Sequence, residues 1–183
     1  MARKRTRAVV EEGAIAFFYR PRVTMVLAPS SSPRRRVIVV GRKQLPKSRR
    51  RDRILAFVTA VEDADTFPTM PDAQGRYALV AHDGHTHLEY ELEEVAEELP
   101  GIERRANWIV TVANPDPFAW GLADPGAVQL ELFALHEEDE PVVIPTPFPP
   151  ELQSQFGDRR FIDAGPEFLD HAGAELVLIG AKR

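Results

Sequence analysis

The chain has 183 residues, enough for one domain with a substantial core. It contains no cysteine, which excludes disulfides, thiolate metal sites and thiol nucleophiles. Its net charge of −5 conceals a division: residues 1–53 carry sixteen Lys and Arg against three acids, and residues 54–183 carry seven against twenty-five. No apolar run reaches membrane-spanning length, and the basic N-terminus lacks the apolar stretch of a signal peptide. The expectation is a cytoplasmic protein with no membrane partner.

Residues 1–12 read as a basic tail, followed by a single domain over 13–183. Ala14 to Tyr19 is a continuous apolar run suited to a central strand. Arg22 to Leu27 suits a second strand, and Pro29 to Pro33 a loop. Arg36 to Val40 suits a third strand, closed by Gly41. From Asp52 the period changes. Ile54, Leu55, Val58 and Val61 recur at helical spacing, with Asp52 as a cap, which predicts a helix over 52–63.

The clearest local signal is the stretch Gly75 to Glu93. Arg76–His82 and His85–Leu92 alternate around Asp83-Gly84, a pair suited to a type I′ turn in which both residues take positive φ. That turn sets the register: His82 faces His85, Val80 faces His87, Ala78 faces Glu89 and Arg76 faces Glu91. Tyr77, Leu79, Ala81, Leu88, Tyr90 and Leu92 form the other face, which is expected to be buried. Leu92, Val95, Ala96 and Leu99 then predict a short acidic helix stopped by Pro100-Gly101.

Further on, 107–113 and 128–135 read as strands. Pro150 opens one helical turn and Pro166 another, with Gly173 as a C-cap. Ala174 to Ile179 closes the chain as a buried strand. Together these elements predict an α+β fold, with a mostly antiparallel, strongly curved sheet and a few short helices.

The blocks FFYRPRV (17–23), VGRKQLP (40–46), HTHLEYELE (85–93) and FLDHAGAELVLIGA (168–181) resemble a family of small uncharacterised bacterial proteins. They run in order across most of the chain. The resemblance implies no particular activity, ligand or fold.

Two groups of residues carry chemistry. Arg20, Arg22, Arg34, Arg35, Arg36, Arg42, Lys43, Lys47, Arg49, Arg50, Arg51 and Arg53 form a basic segment, and such surfaces bind phosphate backbones by charge neutralisation and counterion release. The expected partner is nucleic acid or another polyanion. The same charge also suits an acidic protein partner or self-association against the acidic remainder of the chain. The second group is His82, His85, His87 and Glu89, which share one hairpin face. Neutral imidazoles suit a divalent transition metal such as zinc, and Glu89 suits a fourth ligand or a base for a bound water. His136 and His171 read as local surface groups. The alternatives are thus a polyanion-binding or accessory protein, a metal-binding protein or metal-dependent hydrolase, and a structural protein whose opposite surfaces pair.

Overall fold

The computed structural model describes residues 6–19, 22–41, 44–63, 70–96, 99, 102–116 and 147–182. The expected strand over 128–135 and the acidic run from His136 lie outside them. So do Arg20, Arg42 and Lys43 of the basic segment.

The fold is a closed antiparallel β-barrel and not the α+β arrangement expected from periodicity. Among the described residues the strands are β1 (Arg7–Phe18), β2 (Thr24–Pro29), β3 (Arg34–Val40), β4 (Arg53–Asp63), β5 (Ala73–His82), β6 (His85–Val95), β7 (Arg105–Ala113), β8 (Phe161–Asp163) and β9 (Glu175–Gly180). They follow the order β6-β5-β1-β2-β3-β4-β9-β7, and β6 pairs with β7 to close the ring. Strand β8 continues β6's edge of β7, pairing with Thr111–Ala113 where β6 has left it. Two single-turn helices, α1 (Pro150–Gln153) and α2 (Pro166–Leu169), begin with proline at their first position. A proline there is tolerated because its missing N–H has no intrahelical role. Among the described residues no helix is long and apolar enough to cross a membrane.

Residues 7–12, expected as a tail, form the first half of β1. The helix expected over 52–63 is strand β4, hydrogen-bonded to β3 on one side and β9 on the other. A β-bulge explains the misleading period. Ile38 pairs with Val58 and Val37 with Ala60, so Thr59 is the extra residue. Strand alternation slips by one there, and Val58 and Val61 reach the same side although they stand three apart. The helix expected after Leu92 has the same origin. Gly75 pairs with Leu92 and Gln74 with Glu94, so Glu93 is the extra residue and β6 runs on to Val95. A third bulge lies at Val10 in β1. Bulges sharpen strand bending and twist, which is what a closing sheet requires.

The β5–β6 hairpin forms in the expected register, from His82 against His85 to Arg76 against Glu91. Asp83 and Gly84 both have positive φ. Tyr77, Leu79, Leu88, Tyr90 and Leu92 are buried, whereas Ala81, expected with them, is exposed near the turn.

Inward side chains fill the barrel. At its centre Phe17, Tyr90 and Trp108 meet edge to face, with ring centroids 5.1–6.5 Å apart, a favoured arrangement for aromatic quadrupoles. The indole Nε1 of Trp108 donates to the carbonyl of Pro46 at 2.9 Å, which ties the loop after β3 across that end. Phe148, Phe156 and Phe168 cluster around α2 at the opposite end, and the ring of His171 lies 4.8 Å from that of Phe148.

Beneath α2 the interior is ionic. Arg36, only 2% exposed, donates through Nη1 and Nη2 to the two Glu11 carboxylate oxygens at 2.6 and 2.9 Å, and through Nε to Asp170 at 2.7 Å. Tyr77 donates its hydroxyl to Glu11 at 2.7 Å. Burial opposes the guanidinium charge, but its hydrogen bonds to Glu11 and Asp170 outweigh that and raise its pKa. Burial, reinforced by Glu11, likewise raises the Tyr77 phenol. The Tyr19 phenol is pushed up to about 12 by burial and the Asp72 charge.

Both tyrosines are neutral when protonated, and both have folded pKa values above those of the unfolded chain. Their contribution is therefore complete below the unfolded tyrosine value of about 10 and declines as pH rises toward the folded values. Urea unfolding at pH 9, 10 and 11 is expected to show falling midpoints, with a shallower decline in Tyr19→Phe. A pH-independent midpoint over that interval would contradict the assignment.

Candidate binding site at the loop end of the barrel

The structure divides the basic segment between the two ends of β3. A strand of seven residues (34–40) spans about 20 Å, so Arg34 lies that far from the loop containing Arg49. At the α2 end, Arg34 and Arg35 stand opposite Asp63 and Glu62 of β4. Arg36 is no surface cation: it belongs to the buried network with Glu11 and Asp170. Arg22 is also buried, at 8% exposure. Both are corrections to the surface expected from the sequence. Arginine runs read as solvated in one dimension, but strand alternation sends every second side chain inward.

At the other end, the chain between β3 and β4 folds over the barrel. The carbonyl of Lys47 rests on Gly180, where a Cβ would lie 2.1 Å from that oxygen. Ser48 is buried; its backbone N–H and its hydroxyl both donate to Glu103, at 3.0 and 2.9 Å. The Asp52 carbonyl accepts from the Gly180 N–H at 3.0 Å. These contacts hold Arg49, Arg50, Arg51 and Arg53 outward, all exposed.

Ser48, Arg49, Glu103, Arg104, Arg105 and Lys182 line one groove there, of about 780 Å³. Its cations come from the 47–53 loop, the start of β7 and the chain after β9. Arg105 is engaged by Glu91. Among the described residues, no carboxylate lies within ion-pair distance of Arg49, Arg50, Arg51, Arg53 or Arg104. Sequence inspection missed Arg104, Arg105 and Lys182 because they lie in the acidic part of the chain. Only the pairing of β7 with β9, which sets Trp108 beside Gly180, brings them to this end. Gly180→Ala is expected to displace the loop and with it Arg49, weakening anion binding and quickening proteolysis after residues 49–51. An unchanged cleavage rate would show that the loop does not depend on this contact.

A second groove, of about 1000 Å³, runs along the outside of β1, β5, β6 and β7, and it shares Arg105 and Lys182 with the first. It holds His82, His87 and Glu89. The four residues proposed as metal ligands are drawn to separate partners. His85 Nδ1 lies 3.2 Å from Asp163. Glu89 accepts from Arg7 at 2.5 Å. His82 lies 3.7 Å from its neighbour Asp83. His87 contacts Asn107 at 2.9 Å. His82 and His87 remain close, with ring centroids 5.7 Å apart. Among the described residues no three His, Asp or Glu side chains are grouped so as to hold a metal ion.

A hydrogen-bonded chain joins the two grooves. Ser48 donates to Glu103, the Asn107 N–H donates to the Ser48 hydroxyl at 3.0 Å, and the Asn107 side chain meets His87. No protein-family model, curated protein or solved structure matches this chain.

Proposed function

We propose that this protein is a small cytoplasmic binding protein that takes the phosphate backbone of a nucleic acid at the loop end of its barrel. The groove of Arg49, Arg104, Arg105 and Lys182, flanked by Arg50, Arg51 and Arg53, carries the proposal. Arg49 and Arg104 have no carboxylate partner among the described residues and keep their attraction for phosphate, whereas Arg105 is shared with Glu91; arginine forks match phosphate oxygens in pairs. Three separate chain segments converge on the groove, whereas a solvated charge run occupies one. Among the described residues no aromatic side chain lines this groove. The surface therefore favours backbone contact over base stacking among the described residues.

The test is fluorescence anisotropy of a labelled oligonucleotide between about 50 and 200 mM salt, where counterion release dominates. A site using four of these cations gives a slope of log K against log salt of about −3 on a single strand. Binding that is absent at low salt, or indifferent to salt, would sink the proposal.

A further inference from the structure

His87 lies on the outer face of the barrel wall, yet it is only 9% exposed. Its protonation pattern follows from its neighbours. The Asn107 amide nitrogen donates to the carbonyl of Lys182 at 3.0 Å, so Asn107 presents its oxygen to His87 Nδ1 at 2.9 Å. That oxygen can only accept, so Nδ1 carries the proton and the neutral ring keeps its lone pair on Nε2. Nε2 has no hydrogen-bond partner among the described residues. The ring lines the outer groove. Nε2 is not shut off from solvent, and a ligand in the groove that donates a hydrogen bond can replace water there.

The neighbourhood narrows the choice. A metal ion would need a third protein ligand beside His82 and His87. Glu89 is held by Arg7 and His85 is turned to Asp163. An anion alone would meet a lone pair. The groove continues into the basic one through Arg105 and Lys182, so a strand held at the basic end has a path past His87. The RNA backbone carries such a donor in every repeat, the ribose 2′-hydroxyl, and DNA lacks it.

We infer that the outer groove is a ribose-reading subsite: an RNA strand anchored on the basic end passes Lys182 and Arg105, and one 2′-hydroxyl donates to His87 Nε2. This inference rests on the nucleic-acid reading above and adds the choice of RNA over DNA.

The experiment compares RNA and DNA strands of one sequence, bound to the wild type and to His87→Asn, at mildly alkaline pH where imidazoles in general are neutral. Asparagine retains a donor for Asn107 and removes Nε2. The wild type is expected to prefer RNA about fivefold, the worth of one hydrogen bond. The variant loses that preference and keeps its DNA affinity. Equal affinity for both strands in the wild type, or a preference that survives in the variant, overturns the subsite and leaves the nucleic-acid reading standing. If neither strand binds in a salt-dependent way, both readings fall. A measurement on the unmodified protein guards against a misfolded variant. In nitrogen-15 spectra of the imidazoles, bound RNA is expected to move His87 Nε2 and not His171, and an unmoved His87 resonance in the RNA complex overturns the subsite.

Discussion

Replacing Arg36 with alanine is expected to cost about 3–5 kcal/mol of stability, the usual consequence of leaving a buried charge without its partner. Among the described residues, Glu11 would remain inside the barrel with only the Tyr77 hydroxyl bonded to it, and Asp170 would lose the guanidinium that fastens the end of α2 to the wall. The penalty arises mainly from the orphaned carboxylate. The pair Arg36→Met with Glu11→Leu should therefore recover most of the loss, because an apolar replacement of a buried ion pair is often neutral or stabilising. Urea unfolding of the two variants decides the matter. A loss below about 1 kcal/mol for Arg36→Ala would mean that water reaches the network and that it does not hold the barrel end. The double variant also separates stability from specificity. If it is stable but the segment from α1 to β9 becomes protease-sensitive, the ion pair with Asp170 is what seats that segment.

The largest functional effect is expected for the double charge reversal Arg49→Glu with Arg104→Glu. A charge-assisted hydrogen bond contributes roughly 1.5–3 kcal/mol. Loss of two, with repulsion added, should weaken oligonucleotide binding by more than about a hundredfold at low salt. Each phosphate contact removed also makes the salt slope shallower by about 0.7 on a single strand. Both side chains are exposed and unpaired among the described residues, so the melting temperature should barely move. Reversal of Arg34 and Arg35, at the far end of β3, is the control and should change binding much less. Equal losses from the two pairs would indicate general attraction to a charged protein and no localised groove.

How much of this was legible beforehand depends on the range over which each feature is encoded. The Asp83-Gly84 turn is local: two adjacent residues that tolerate positive φ fix the hairpin, and the hairpin fixes which side chains face each other across eight residue pairs, from His82–His85 to Gly75–Leu92. The buried face of Tyr77, Leu79, Leu88 and Tyr90 follows from period two alone. The two helices wrongly expected after Asp52 and Leu92 have one cause. A bulge at Thr59 and another at Glu93 each convert a spacing of two into three on one face, and a spacing of three is also the signature of a helix. Nothing in the local residues separates the two, because the bulge is stabilised by the partner strand.

The candidate sites divide in the same way. Exposure of Arg49, Arg50 and Arg51 was readable, since a basic, turn-rich run belongs on the surface. The burial of Arg36 was not, because it depends on Glu11 and on Asp170, 134 positions away. The shared face of His82, His85 and His87 was correct, but their partners were not visible. Asn107, Asp163 and Arg7 reach them only through β7, β8 and β1. By itself, then, the sequence determined the turns, the alternating faces and the charge division, all written in neighbouring residues. Closure of the barrel, the interior place of Arg36 and the gathering of Arg49, Arg104 and Lys182 into one groove were decided by tertiary structure, because they arise from strand pairings between segments far apart in the chain.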